Sequence, residues 1–145
     1  MTVLKMTVAA AESCSAGIAA DLIARVPGAS KIFWGSFISY TAEAKRIMLG
    51  VSQECLNQYG AVSRETACAM ARGALDISGA DLAFSITGLA GPGGDNEGRQ
   101  AGTVWIATLR QGGNPEAELF HFRGSRNSVR RKAAKKALDK LFDLI

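Results

Sequence analysis

The sequence predicts an α/β protein, a three-layer α/β/α sandwich around a mixed sheet of about five strands. Short apolar runs alternate with segments whose apolar residues recur every three or four positions, which indicates strands alternating with helices. The last two strand-like runs flank the turn Gln111-Gly112-Gly113-Asn114, which indicates an antiparallel hairpin. Since the chain has 145 residues and 48% apolar content, we expect a single domain over residues 1–145.

The first half of the chain predicts a β–turn–α unit, a second strand and two short helices. Apolar, partly β-branched residues indicate the first strand, and the next helix has one apolar face before Pro27-Gly28 stops it. Thr41 and Ser52 are positioned to cap the two short helices, and Gly50 ends the first of them. The predicted bounds are strand 3–10, helix 16–26, strand 33–40, helix 42–49 and helix 53–59.

The second half predicts a long helix, three strands and a final helix. The long helix has an apolar stripe with small residues beside it, between Ser63 as its cap and Gly79 at its end. The segment 88–98 contains too much glycine for regular structure, so we interpret it as a loop. The predicted bounds are helix 64–78, strand 82–87, strand 103–109, strand 117–122 and a last helix from residue 125 or 126 onward.

Composition excludes several classes of function. No apolar run reaches the roughly 18 to 20 residues of a membrane span, and the N-terminus lacks a signal-peptide layout, so we expect a cytoplasmic protein with no membrane partner. The three cysteines show no metal or disulfide spacing and are interpreted as reduced thiols. The net charge of +4 comes largely from a basic C-terminal run without interleaved aromatic residues. This run favours a solvated helix face over nucleic-acid binding.

The only histidine, His121, lies between two phenylalanines in a predicted strand. A packed or partly exposed strand residue is the simplest interpretation of it. Any hydrolytic chemistry in this chain is therefore expected to use a different base.

The turn at residues 11–17, Ala-Glu-Ser-Cys-Ser-Ala-Gly, is the first candidate site. It joins a strand to a helix N-terminus, whose amides and dipole suit a phosphate or an oxyanion. Ser13 is a candidate nucleophile there. The alternative is that Ser13 or Ser15 only caps the helix. Cys14 is interpreted as a small buried residue rather than as a nucleophile.

Two further segments follow predicted strands. Lys45 lies about one turn into a helix after Tyr40, and a desolvated lysine can act as the base for a serine; the alternative is an exposed helix lysine. Thr87 offers a hydroxyl ahead of the glycine-rich segment, whose backbone can approach a ligand closely. That segment is neither a Walker motif nor a dinucleotide fingerprint, and its composition alone indicates only a flexible loop. Because ligands collect at the carboxyl ends of parallel strands, we expect these turns to meet.

These motifs occur together in one order, and in that order the chain resembles the CinA C-terminal domain family. The segments that carry the resemblance are Ala-Glu-Ser-Cys-Ser-Ala-Gly at 11–17, Ser-Phe-Ile-Ser-Tyr-Thr at 36–41 with Glu-Ala-Lys at 43–45, Leu-Gly-Val at 49–51, Gly-Ala-Val-Ser at 60–63, Thr-Gly-Leu-Ala-Gly-Pro-Gly-Gly at 87–94 and Gly-Thr-Val at 102–104. The likeness covers nearly the whole chain.

The family includes stand-alone PncC-type nicotinamide mononucleotide (NMN) deamidases. The resemblance therefore implies hydrolysis of the carboxamide of NMN to nicotinic acid mononucleotide and ammonia, in pyridine-nucleotide salvage, without a metal or cofactor. It implies Ser13 as nucleophile, Lys45 as base, Tyr40 as a hydroxyl partner and amides of residues 15–17 as oxyanion donors. The residues it implies for substrate binding are Glu12, Ser15, Gly17, Ser39, Thr87, Gly88, Gly91, Gly93, Gly94, Arg126 and Arg130.

Some positions depart from the family's usual pattern. Ala16 stands where the family has glycine, and its methyl group disfavours a positive φ. Members usually carry a further helix before the first strand, so one face of the sheet is expected to be bare or covered by a partner, and a homo-oligomer is expected. Residues 99–101 differ from the usual Lys-Pro-Val. The alternative function is a catalytically idle domain that binds a nucleotide or a partner. For Arg126 and Arg130 the implied contact is a phosphate or a partner subunit, with simple solvation as the alternative for Arg130.

Overall fold

The predicted three-layer α/β/α sandwich is confirmed by a computed structural model, which describes residues 5–96 and 98–145. Five strands form one mixed sheet in the order β2-β1-β3-β4-β5. β1 pairs in parallel with β2 and β3, whereas β4 pairs antiparallel with β3 and β5. The strands are β1 (Val8–Glu12), β2 (Phe33–Ile38), β3 (Leu82–Gly88), β4 (Thr103–Arg110) and β5 (Glu116–His121).

Helices cover both faces of this sheet. One layer contains the first and last helices, and the other contains the three helices between β2 and β3. Alternate residues of β1 enter the two cores, with Val8 and Ala10 facing one layer and Ala9 and Ala11 the other. The helices are α1 (Ile18–Ala24), α2 (Ala42–Leu49), α3 (Gln53–Tyr59), α4 (Arg64–Ser78) and α5 (Arg126–Phe142).

The predicted helix caps are confirmed for α2, α3 and α4. The side chains of Thr41, Ser52 and Ser63 each accept a hydrogen bond from the third backbone N–H that follows. Gly50 and Gly79 end α2 and α4 in the left-handed conformation that glycine adopts without strain. These three helices begin and end at the predicted residues.

The first β–turn–α unit differs from its prediction. β1 runs from Val8 to Glu12 instead of over residues 3–10, because the backbone N–H of Thr7 is bonded to the carboxylate of Asp81 and not to a strand; residues 3 and 4 lie outside the described residues. α1 begins at Ile18 instead of residue 16, because both Ala16 (φ 44°) and Gly17 (φ 99°) are left-handed. A short 3₁₀ helix at Ala29–Lys31 was not predicted.

The later strands shift by one or two residues. β2 ends at Ile38 rather than residue 40, since the carbonyls of Ser39 and Tyr40 turn toward Lys45. The hairpin strands are Thr103–Arg110 and Glu116–His121, against predictions of 103–109 and 117–122. Among the described residues, no helix is long and apolar enough to cross a membrane.

Candidate active site

The carboxyl ends of the three parallel strands meet at one edge of the sheet. β1 lies between β2 and β3, and its C-terminal residue Glu12 pairs with Ile38 and Ile86. Ser13 therefore follows β1 at the point where Ser39 and Tyr40 follow β2 and where β3 ends at Thr87 and Gly88. The predicted convergence of the polar strand ends is confirmed.

Ser13 and Lys45 are in direct contact. Lys45 Nζ lies 2.9 Å from Ser13 Oγ and also donates to the carbonyl oxygen of Ser39 at 2.9 Å. The Ser13 hydroxyl donates to the carbonyl oxygen of Tyr40 at 3.3 Å. Lys45 is only 1% exposed, so the alternative of a solvated helix lysine is wrong. The pair has the geometry of a nucleophile beside its base.

Burial favours the neutral form of Lys45. Removal of the ammonium from water lowers the Lys45 pKa from 10.5 to about 8, and the nearby Cys14 opposes that shift slightly. About one tenth of the lysine is then unprotonated at pH 7. This fraction is far larger than for a solvated lysine, and the unprotonated amine can accept the Ser13 proton.

Burial makes Cys14 less reactive, whereas it favours the reactive form of Lys45. Burial raises the pKa of its thiol to about 11, although the charges of Lys45 and Arg130 lower it in part. The thiol is therefore protonated near neutral pH and is a poor nucleophile. The structure supports the interpretation of Cys14 as a small buried residue next to the reacting group.

We name residues 13–17, which connect β1 to α1, the nucleophile turn. Its start is fixed by the Ser13 N–H, which donates to the Ile86 carbonyl at 2.9 Å. The Ala16 N–H returns to the Ser13 carbonyl at 3.1 Å. Ala16 adopts a positive φ despite its methyl group, which costs about 1–2 kcal/mol in an L-residue.

The predicted cap of α1 is wrong, because neither Ser13 nor Ser15 caps it. The N-cap is Gly17, which provides no side chain, and the first free amides of α1 are bonded to Glu12 instead. The Glu12 carboxylate accepts hydrogen bonds from the Ala19 and Ala20 N–H groups at 2.9 and 3.2 Å. It also accepts from the hydroxyls of Ser15 and Ser36, both at 2.9 Å. A buried carboxylate thus holds the turn from the sheet side.

A cavity of about 450 Å³ opens in front of the Ser13–Lys45 pair. Nine of the predicted site residues line it: Ser13, Tyr40, Lys45, Thr87, Gly88, Gly91, Gly93, Gly94 and Arg126. A larger cavity of about 680 Å³ adjoins it at Val62. The hydroxyl of Ser63 in its lining is bonded to the Gly60 carbonyl and the Thr66 N–H and not to a base.

Five predicted binding residues do not line this cavity: Glu12, Ser15, Gly17, Ser39 and Arg130. Glu12, Ser15 and Ser39 are fully buried. Ser39 contributes its backbone carbonyl to Lys45, while its hydroxyl has no hydrogen-bond partner among the described residues. Because residues 15–17 lie off the cavity and the Ala16 N–H is already bonded, the geometry does not support the predicted oxyanion amides.

Arg126 and Arg130, the two arginines of α5 that were predicted as site residues, have different positions. Arg126 reaches the cavity rim, where it donates to the Gly91 carbonyl at 2.6 Å and to the Tyr40 hydroxyl at 2.8 Å. Tyr40 is half exposed, and its hydroxyl lies with Arg126 rather than with Ser13. Arg130 instead donates to two carbonyls of the nucleophile turn. The alternative that Arg130 is only solvated is therefore wrong.

Sequence reasoning missed some of the cavity wall. The missed lining residues are Cys14, Ala61, Val62, Leu89 and Ala90. The Thr87 hydroxyl donates to the Ala61 carbonyl at 2.7 Å, which fixes residues 61 and 62 against the end of β3. Residues 60–63 carry part of the family resemblance and lead directly into the Ser63 cap, so the sequence contained a signal for this part of the wall. Among the described residues, no group of acidic, histidine or cysteine side chains could hold a metal ion.

Comparisons with known proteins agree with this architecture. The family model described as the CinA C-terminal domain matches residues 1–145. A CinA-like protein of Syntrophomonas wolfei is 49% identical over 134 residues, which are 92% of this chain and 32% of that protein. A CinA-like protein of Geobacter metallireducens is 46% identical over 92% of this chain and 32% of its own length. The chain thus spans about a third of the curated relatives it matches.

Two solved structures have the same fold over almost the whole chain. A competence-damaged protein (CinA) superfamily protein from Escherichia coli superposes with a TM-score of 0.93 at 35% identity, covering 97% of this chain and 81% of that one. A competence/damage inducible protein from Agrobacterium tumefaciens gives a TM-score of 0.94 at 40% identity, covering 99% and 87%.

Proposed function

Because the chain belongs to the CinA C-terminal domain family, we propose that it is an amidohydrolase that deamidates NMN to nicotinic acid mononucleotide and ammonia. The single observation that carries the proposal is the 2.9 Å contact between Ser13 Oγ and the buried Lys45 Nζ. A serine needs an adjacent base to attack an amide, and the chain's only histidine, His121, is exposed on β5 at another cavity.

The acylation step uses Lys45 first as base and then as acid. Unprotonated Lys45 accepts the Ser13 proton while Ser13 Oγ bonds to the carboxamide carbon, giving a tetrahedral oxyanion. As the oxyanion collapses, the carbon–nitrogen bond breaks, and Lys45 transfers the proton to the departing nitrogen, which leaves as ammonia. The product of this half-reaction is an ester between Ser13 Oγ and the nicotinoyl group, which still carries its ribose phosphate, and Lys45 is again unprotonated.

The deacylation step repeats this sequence with water. Water attacks the ester carbon as Lys45 accepts its proton, and collapse of the second tetrahedral species returns that proton to Ser13 Oγ. The net reaction consumes one water and one amide and forms one carboxylic acid and one ammonia. The residues that border the cavity include Cys14 and the glycine loop at residues 88–94. We propose that main-chain amides among them, other than the bonded Leu89 N–H, hold the oxyanion in place of residues 15–17.

The charge around the cavity suits a phosphorylated substrate. Arg126 lines the cavity, and a guanidinium binds a phosphate through paired hydrogen bonds. We therefore propose that the carboxamide enters toward Ser13 while the phosphate stays near Arg126. The bonds from Arg126 to Gly91 and Tyr40 hold its side chain at the rim before substrate binds.

The test is ammonia release from NMN by the purified protein, with nicotinamide riboside as a substrate that lacks the phosphate. We expect turnover of NMN, loss of turnover in both Ser13→Ala and Lys45→Ala, and retention within a few-fold in the control Cys14→Ala. Mass spectrometry of a rapidly quenched reaction should show Ser13 esterified by nicotinic acid mononucleotide. Full activity in Ser13→Ala would exclude this mechanism. Nucleotide binding without turnover would favour the catalytically idle domain instead.

We also propose that the chain forms a homo-oligomer. Light scattering during size-exclusion chromatography tests it directly. A monomer at micromolar concentration with full NMN turnover would show that one chain completes the site.

A further inference from the structure

Arg130 makes three hydrogen bonds that have no part in the proposed deamidation. Its Nε donates to the Cys14 carbonyl at 2.9 Å, and Nη2 donates to the Ser15 carbonyl at 3.3 Å. Nη1 donates to Asn127 Oδ1, one turn earlier on α5, at 3.0 Å. All three guanidinium nitrogens are therefore occupied by protein acceptors. Arg130 does not line the cavity, so a direct contact with substrate is not its role in this geometry.

The bonds from Arg130 fix the orientation of two successive peptide groups in the nucleophile turn. Since a trans peptide is planar, holding the carbonyl on one side fixes its N–H on the other. The two carbonyls belong to Cys14, directly after the nucleophile, and to Ser15, directly before the left-handed Ala16. Loss of these donors would release the peptide group that precedes Ala16 and favour relaxation of the Ala16 φ toward the negative region.

Glu12 holds the other side of the same turn. Its carboxylate binds the Ser15 hydroxyl and the first free amides of α1, whereas Arg130 binds the main-chain carbonyls. The residue that links the two is Ser15, whose side chain is bonded to the carboxylate and whose carbonyl is bonded to the guanidinium. The turn is thus held between opposite charges from β1 and α5, which are 118 positions apart in sequence.

We propose that Arg130 is a positioning residue for Ser13, which keeps the nucleophile turn in the conformation that places Ser13 Oγ on Lys45. This inference rests on the proposed function. Arg130 acts through the backbone, so its loss slows attack by Ser13 and leaves substrate affinity unchanged. Displacement of a reacting group by about 1 Å can cost about 100-fold in rate, and we expect a loss of that order.

The experiment compares Arg130→Ala and Arg130→Lys with the matched control Arg131→Ala. Arg131 is the adjacent exposed arginine on α5 and makes no hydrogen bond or ion pair within the described part of the chain. We expect Arg130→Ala to lower kcat for NMN by about 30- to 100-fold with KM within about twofold. Arg130→Lys restores part of kcat, because one donor remains, and Arg131→Ala matches the wild type.

Two further readouts separate positioning from folding. Added guanidinium chloride at low millimolar concentration should raise kcat of Arg130→Ala several-fold, since the free ion can occupy the vacated donor position. Labelling of Ser13 by an alkyl fluorophosphonate should slow by the same factor as kcat. This labelling needs no substrate, so it tests Arg130 even if NMN proves not to be turned over.

Several results would overturn the inference. A raised KM with unchanged kcat would assign Arg130 to substrate binding. Activity that falls only in proportion to the folded fraction, with no guanidinium rescue, would assign it to stability alone. Absence of Ser13 labelling in the wild type would remove the nucleophile that Arg130 is proposed to position.

Discussion

Helix α4 packs against β1 and the nucleophile turn follows the end of β1, but the two segments differ in how well their sequences suit their conformations. In α4 the end signals and the apolar stripe agree with the fold: Ser63 caps it, Gly79 ends it, and the stripe of Ala67, Met70, Ala71, Ala74 and Leu75 is buried in the core. The turn instead contains a left-handed alanine, Ala16, and it lies between the fully buried carboxylate of Glu12 and the buried Lys45. Natural proteins concentrate such violations at functional sites. The difference indicates that α4 stabilises the fold, whereas the turn is strained by the conformation that holds the reacting groups.

The largest expected effect is on catalysis, from Lys45→Met. The variant keeps the length of the side chain but removes the base, so we expect kcat/KM for NMN to fall by at least about 1,000-fold. In the wild type, kcat/KM should rise about fivefold between pH 7 and pH 8, reach half of its maximum near pH 8 and level off above about pH 9, because Lys45 has a pKa of about 8. A pH-rate profile measures both.

The same lysine links stability to pH. Its pKa is about 8 in the folded protein and 10.5 in a solvated lysine, so the unfolded chain binds more protons between those values. The free energy of unfolding of the wild type should therefore rise, relative to Lys45→Met, as pH increases from 8 to 10.5. Urea titrations at several pH values provide the test. A difference independent of pH would contradict the lowered pKa.

The next effect is on stability and concerns α4. A Cβ added to Gly73 would lie 2.1 Å from the Leu49 carbonyl oxygen, so Gly73→Ala must move α2 away from α4. We expect a loss of about 2–3 kcal/mol in the free energy of unfolding, as for other overpacked positions. Gly93→Ala is the control, since its added Cβ has no atom within 4 Å among the described residues other than its chain neighbours. Equal urea midpoints for the two variants would refute the close contact.

Glu12→Gln tests the hydrogen bonds by which a buried carboxylate holds the nucleophile turn. The carboxylate accepts four hydrogen bonds, and the amide nitrogen of glutamine would place its own hydrogens against donors. We expect a loss of about 1–3 kcal/mol together with a lower kcat, because the turn shifts. Thermal unfolding and NMN turnover report the two effects. Unchanged turnover in a destabilised variant would separate Glu12 from the positioning of Ser13.

Sequence patterns predicted the regular elements well because their signals are local. Caps, apolar periodicity and the glycine stops gave α2, α3 and α4 to the residue, and the small residues after β1 indicated the turn. The role of Glu12 as the support of α1 could not be predicted, since a carboxylate next to a strand gives no sign of whether it faces substrate or helix amides. The contact between Arg130 and residues 14 and 15 depends on how α5 packs, which no local pattern encodes.

The smallest effect is expected at Ala16, and its sign is the sharpest test of the comparison. Ala16 is exposed and left-handed, so Ala16→Gly loses no buried surface and relieves about 1–2 kcal/mol of backbone strain. Glycine adds up to about 1 kcal/mol of unfolded-state entropy, which leaves a net gain of about 0.5–1 kcal/mol. The matched control Ala19→Gly lies three residues later, inside α1 and fully buried, and should lose about 1 kcal/mol or more. Urea unfolding of the two variants gives opposite signs if the turn is strained as the structure shows, and the same sign if Ala16 is relaxed.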